Sequence, residues 1–133
     1  MSENLDLVRT ICSAWERGDY SSVEWADPEI EFVTADGTEP GSWTGLAEMA
    51  DGMRDWLGAW EDARAVADAY RELDDGRVLV LVHFTGRGKT SGLEIGPLSP
   101  KGAFLFRVGG GKVTRFVRYL DLGRALADLG LAE

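Results

Sequence analysis

The last quarter of the chain, Gly109 to Gly130, is compatible with very few folds. It runs GGGKVTRFVRYLDLGRALADLG, which places a glycine turn, a strand and a short helix in immediate succession. Gly109, Gly110 and Gly111 supply the positive φ values that a tight antiparallel hairpin demands. Lys112 to about Leu120 is rich in β-branched and aromatic residues and predicts the returning strand. Asp121 stands where a helix N-cap belongs, with Leu122, Ala125, Leu126 and Leu129 at helical spacing behind it and Gly130 as the stop. An upstream strand must pair with this hairpin, and an apolar surface must lie under its helix.

Upstream, Leu5, Val8, Ile11, Cys12 and Trp15 form one stripe of an amphipathic helix from about Asn4 to Arg17, with Gly18 at its end. Asp19 caps a second short helical piece, Tyr20–Trp25. Glu29 to Ala35 alternates as a half-buried strand, with Ile30, Phe32 and Thr34 on one face. Turn chemistry fills 36–41, and Trp43-Thr44-Gly45 is a short extended piece. A second long helix is predicted over Leu46 to Trp60 on the spacing of Leu46, Met49, Met53, Trp56, Leu57 and Trp60. Residues 61–73 are ambiguous: alanine content favours helix, alternation favours strand. The Asp74-Asp75-Gly76 turn before an evident strand, Arg77 to Thr85, decides for a hairpin, so 62–73 is read as a strand. Residues 91–95 resume the sheet after a break, and Gly102 to Val108 is a further strand. Helices followed by a run of strands predict an α+β domain, helices on one face of a curved antiparallel sheet.

At 133 residues the chain is long enough for a single domain, 1–133, with a core of its own. Its net charge of −9 argues against nucleic acid and against anionic membrane surfaces, both of which recruit clustered Lys and Arg. The longest apolar run, Val78–Val82, is far too short to span a bilayer. The first residues are acidic and resemble no secretory signal, and the lone Cys12 fits a reducing compartment, so a cytoplasmic location is expected. One His and one Cys make a zinc site unexpected, and no glycine-rich phosphate loop is present, so no metal and no cofactor are implied.

Seven short motifs occur in register along almost the whole chain. They are Trp15-x-x-Gly18-Asp19; Ala26-Asp27-Pro28-Glu29-Ile30-Glu31-Phe32; Trp43-x-Gly45; Gly86-Arg87-Gly88 with Ser91-Gly92; Gly111-Lys112-Val113-x-Arg115; Tyr119-x-Asp121; and Ala125-Leu126 with Gly130-Leu131. Together they resemble the nuclear transport factor two-like superfamily, in its SnoaL-like (polyketide-cyclase-like) bacterial branch. The resemblance implies a cone, a curved antiparallel sheet wrapped around the long N-terminal helix, with a pocket at the open end. It also implies a homodimer through the outer sheet face. Relatives include ketosteroid isomerases, polyketide cyclases, epoxide hydrolases and dehydratases, so the resemblance does not choose a reaction.

The residues that relatives use for catalysis are mostly not matched. The isomerase base falls near Val33, with Asp36 the nearest carboxylate; the isomerase oxyanion-hole acid falls at Ala103; the helix-one tyrosine has no counterpart. The cyclase acid falls at Arg118, a reversal of charge. By the family's geometry the face carrying Thr114, Phe116, Arg118 and Leu120 lines the pocket, opposite Val113, Arg115, Val117 and Tyr119. Arg118 is then a fixed cation suited to a carboxylate or enolate oxygen, and Asp36 a proton-transfer group at the mouth. Trp15, Tyr20, Phe32, Trp43, Phe104, Phe116 and Leu120 are the expected pocket lining. Trp56, Trp60 and Cys12 are expected to pack as core, and His83 to point outward, toward a partner subunit. Two functions stay open. One is a protein binding a small apolar molecule, with a cofactor-independent isomerase, cyclase or hydrolase acting on a carbonyl-bearing metabolite as its catalytic form. The other is a non-enzymatic dimer whose cone is filled by its own side chains.

Overall fold

A computed structural model describes residues 3–17, 19, 24–35, 41–57, 60–74, 76–88, 94–95 and 101–131. The described elements are α1 (Glu3–Glu16), β1 (Ala26–Thr34), β2 (Gly41–Thr44), α2 (Leu46–Leu57), β3 (Trp60–Asp74), β4 (Arg77–Gly88), β5 (Glu94–Ile95), β6 (Lys101–Gly109), β7 (Lys112–Tyr119) and α3 (Leu122–Leu129). The strands lie in the order β2-β1-β7-β6-β4-β3, with β5 added along β4. The sheet is open and curved, and β1 against β7 is a parallel seam in otherwise antiparallel pairing. This is the α+β architecture the element order predicts.

The stripe of α1 read from the sequence is the stripe that is buried: Val8, Ile11, Cys12 and Trp15. They sink into the concave face of the sheet, against Ile30 and Phe32 of β1, Val78, Val80 and Val82 of β4, Phe104 and Phe106 of β6 and Phe116 of β7. Each large side chain fully withdrawn from water there contributes about 1.5–3 kcal/mol before entropy is counted. The convex face carries a second, smaller cluster, in which Leu79, Leu105, Val117 and Tyr119 meet Ala125 and Leu126 of α3. Asp121 accepts from the Gly123 N–H (3.1 Å) to open α3. Gly130 closes it at φ 68°, its N–H turned back to Ala127.

Several expectations change in detail. Of the three turn glycines, only Gly110 and Gly111 have positive φ, 61° and 79°; Gly109 still belongs to β6, so the loop is a two-residue hairpin. The second long helix stops at Leu57, and Trp60, expected as its last residue, opens β3 instead. The strand expected over 62–73 is present and slightly longer, 60–74, because pairing along β4 outweighs the helical propensity of its alanines. The short helix expected at Tyr20–Trp25 lies mostly outside the described residues, and Glu24 and Trp25 form a turn.

Among several register shifts, two β-bulges move residues relevant to the core. On β3 the register slips between Ala67 and Ala69, leaving Asp68 as the extra residue. Ala65, Ala67 and Tyr70 consequently share the concave side, whereas plain alternation had set Tyr70 against the alanines. On β7 the slip falls at Thr114, and Val113 turns into the core at 0% exposure instead of joining Arg115 on the outside. Bulges of this kind bend a strand and increase its twist, which suits a sheet that must wrap a helix.

Candidate functional site

The concave side is floored with aromatic rings. Phe106, Phe116, Phe32 and Trp43 form a continuous stack with successive centroid distances of 4.8, 5.2 and 5.2 Å. Trp15 on α1 closes onto Phe116 (5.3 Å) and, edge-on, onto Phe104 (5.6 Å). Of the expected pocket residues, Trp15, Phe32, Phe104 and Phe116 are therefore buried against one another. Trp43 and Leu120 are half-buried at the margin of the same cluster. Tyr20 and Asp36 lie outside the described residues.

Trp43 is held from behind by an interaction the sequence reading missed. Gly52 sits in the middle of α2, and a Cβ built there would come within 2.8 Å of the indole of Trp43. A helix interior ordinarily disfavours glycine by about 1 kcal/mol. Here the missing side chain makes room for the ring to lie between α2 and Phe32.

Arg118 reaches the same place from β7. It is 7% exposed, on the concave side, where alternation and the geometry implied by the resemblance together placed it. The parallel seam sets it directly beside Thr34, which lies 84 residues away in sequence. Arg118 Nη2 donates to Thr34 Oγ1 at 3.0 Å, and the guanidinium lies 5.3 Å from the Phe32 ring centroid. The guanidinium carries five N–H donors on a planar fork. The arrangement is a fixed cation over an aromatic face at low local dielectric, which strengthens any interaction with an incoming anionic oxygen.

A second polar cluster ties α1 to β3. Burial pushes the Cys12 thiol up to about 12, opposed in part by a hydrogen bond from Tyr70 and helped to a lesser degree by the charge of Glu16. Burial likewise raises Tyr70 to about 12. Arg9 lies 5.2 Å over the Tyr70 ring, and Glu16 accepts from the Ala67 N–H (2.8 Å). A thiol this reluctant to ionise is a packing residue, not a nucleophile. His83 points to the convex side, opposite to Arg118, with its Nδ1 2.9 Å from Asp68 of the β3 bulge. Among the described residues no group of His, Cys, Asp and Glu is arranged to hold a metal ion.

The SnoaL-like domain family matches residues 8–116. The chain belongs to the SnoaL-like family. No curated protein matches it in sequence. Among solved structures it is similar to a nuclear transport factor two-like protein of unknown function from Burkholderia pseudomallei, with 20% identity, TM-score 0.78, and 96% and 97% of the two chains covered. It is similar also to TerC, co-crystallised with polyporic acid (17%, TM-score 0.75, 96% and 98% covered). A putative polyketide cyclase from Sinorhizobium meliloti is a further neighbour (17%, TM-score 0.64, 85% and 93% covered). At these identities the likeness is one of fold. The family match ends two residues before Arg118, so that residue stands on this chain's own geometry.

Proposed function

We propose that this SnoaL-like domain binds a small, largely apolar molecule on the concave side of its sheet, through a carbonyl, carboxylate or enolate oxygen held by Arg118. The observation that carries this is the buried guanidinium itself, set on Thr34 and over Phe32. Withdrawing an arginine from water is expensive, and its geometry suits a planar, bidentate anion. The half-buried Trp43 and Leu120 would bound the apolar part of the ligand. In the catalytic form of this reading Arg118 stabilises developing oxyanion charge and Asp36 moves the proton, with no cofactor.

The competing reading is a non-enzymatic homodimer with a filled cone, and the unbroken ring stack from Phe106 to Trp43 is the observation that favours it. Light scattering tests the dimer, and a monomeric mass at high concentration would remove it. A thermal-shift screen against apolar acids, lactones, steroids and polycyclic ketones, with Arg118→Ala run alongside, separates the two. Polyporic acid belongs in that screen. A ligand at about 100 times its dissociation constant adds roughly 2.7 kcal/mol, a shift of several degrees for a domain of this size. A shift that is lost in Arg118→Ala supports the binding protein. No shift from any class supports the filled cone.

A further inference from the structure

The convex side of the sheet holds a second concavity, separate from the ring stack. A groove of about 580 Å³ runs between the β1–β2 edge, the middle of β6 and β7, and α3. That volume is in the range of small-molecule sites. Val33, Leu105 and Val117 give it an apolar floor, and Arg77, Arg107, Arg115 and Arg124 line its walls. Four guanidinium groups thus meet in one groove of a chain whose net charge is −9.

The strand register makes the clustering strict. Arg77 opposes Arg107 across β4 and β6, and Arg107 opposes Arg115 across β6 and β7. Like charges directly opposite on neighbouring strands destabilise a sheet, so this row works against folding and needs another reason to exist. Two carboxylates offset it in part. Glu31 Oε1 lies 2.7 Å from Arg115 Nε, and Asp128 Oδ2 lies 3.7 Å from Arg124 Nε. Both pairs are about half exposed and therefore weak, and among the described residues two carboxylates face four arginines, a positive balance.

We propose that this groove binds a small amphipathic anion, its carboxylate or phosphate head on Arg77, Arg107 and Arg115 and its apolar body on Val33, Leu105 and Val117. The planar forks of neighbouring arginines match such head groups bidentately. Three adjacent strands, β4, β6 and β7, hold them in one row at strand spacing without any loop having to close.

The test is a fluorescence titration with anilinonaphthalene sulfonate, an aromatic anion, into wild type, Arg107→Ala, Arg107→Glu and Arg118→Ala. Arg107 is the middle of the row and is exposed, so removing its charge relieves repulsion and the variant folds. Binding is expected to weaken by about tenfold in Arg107→Ala, the loss of one charge-assisted contact. It should be abolished in Arg107→Glu and weakened as salt is raised, with the Arg107-dependent loss retained in the Arg118→Ala background. Equal affinity in wild type and both Arg107 variants would overturn the proposal, as would no binding to wild type. Loss confined to Arg118→Ala would place the dye in the cone and also overturn it. So would a light-scattering mass that halves in Arg107→Glu with no dye bound by wild type, because the groove would then be a contact between subunits.

Discussion

Arg118 and Cys12 both sit on the concave side, and burial acts on them in opposite ways. The guanidinium keeps its charge when withdrawn from water, since its pKa is far too high to shed the proton. The thiol stays neutral. In the unfolded chain Cys12 ionises near 9, in the folded chain near 12, so over that window the unfolded state releases a proton that the native state retains. Stability is therefore complete below pH 9 and falls as pH rises toward 12, by up to about 1.4 kcal/mol per pH unit. Tyr70 adds to the loss in the same direction, from its ordinary value of 10.0 upward. Denaturant unfolding at stepped alkaline pH measures this, and Cys12→Ala should flatten the slope. The native thiol should also resist alkylation until the chain is unfolded; rapid native labelling would refute the buried placement.

Among the elements, α2 depends on a residue that contributes no side chain. Gly52→Ala would raise helix propensity by about 1 kcal/mol, yet the added methyl would drive into the Trp43 ring at 2.8 Å. The ring cannot swing away cheaply while stacked on Phe32 at 5.2 Å. The expected net effect is a loss of about 1–3 kcal/mol, read as a lowered denaturation midpoint, and a stabilised variant would show that Trp43 is loosely held. The bounds of α1, the caps of α3 and the terminal hairpin were legible in the sequence because their signals are local, as with Asp121, Gly130 and the Gly110-Gly111 pair, whereas α2 ends at Leu57, short of the expected Trp60. What was not legible depends on long-range register. Nothing in 61–73 marks Asp68 as a bulge, and that bulge is what turns Tyr70 inward toward Cys12. Thr114 does the same for Val113. The arginine row was equally hidden, because Arg77, Arg107 and Arg115 become neighbours only once three strands are in register.

At the scale of the whole molecule, one curved sheet separates two different surfaces. The concave side is an aromatic floor with a single buried arginine among its described residues; the convex side is an apolar band, capped by α3 and edged with cations. Motif order along the chain pointed to this family and fold, and the family match over residues 8–116 agrees with it. Of the candidate site, the inward face of Arg118 was legible, from alternation taken together with the geometry the family resemblance implies. Its contact with Thr34 needed the parallel β1–β7 seam, which alternation does not reveal. The most direct test is a crystal structure of the protein with the strongest stabilising acid or ketone from the thermal-shift screen. The account predicts a ligand oxygen within about 3 Å of the Arg118 guanidinium, with the apolar body against Phe32 and Trp43. A cone occupied by its own rings, with the ligand bound only on the convex side or nowhere, would contradict it.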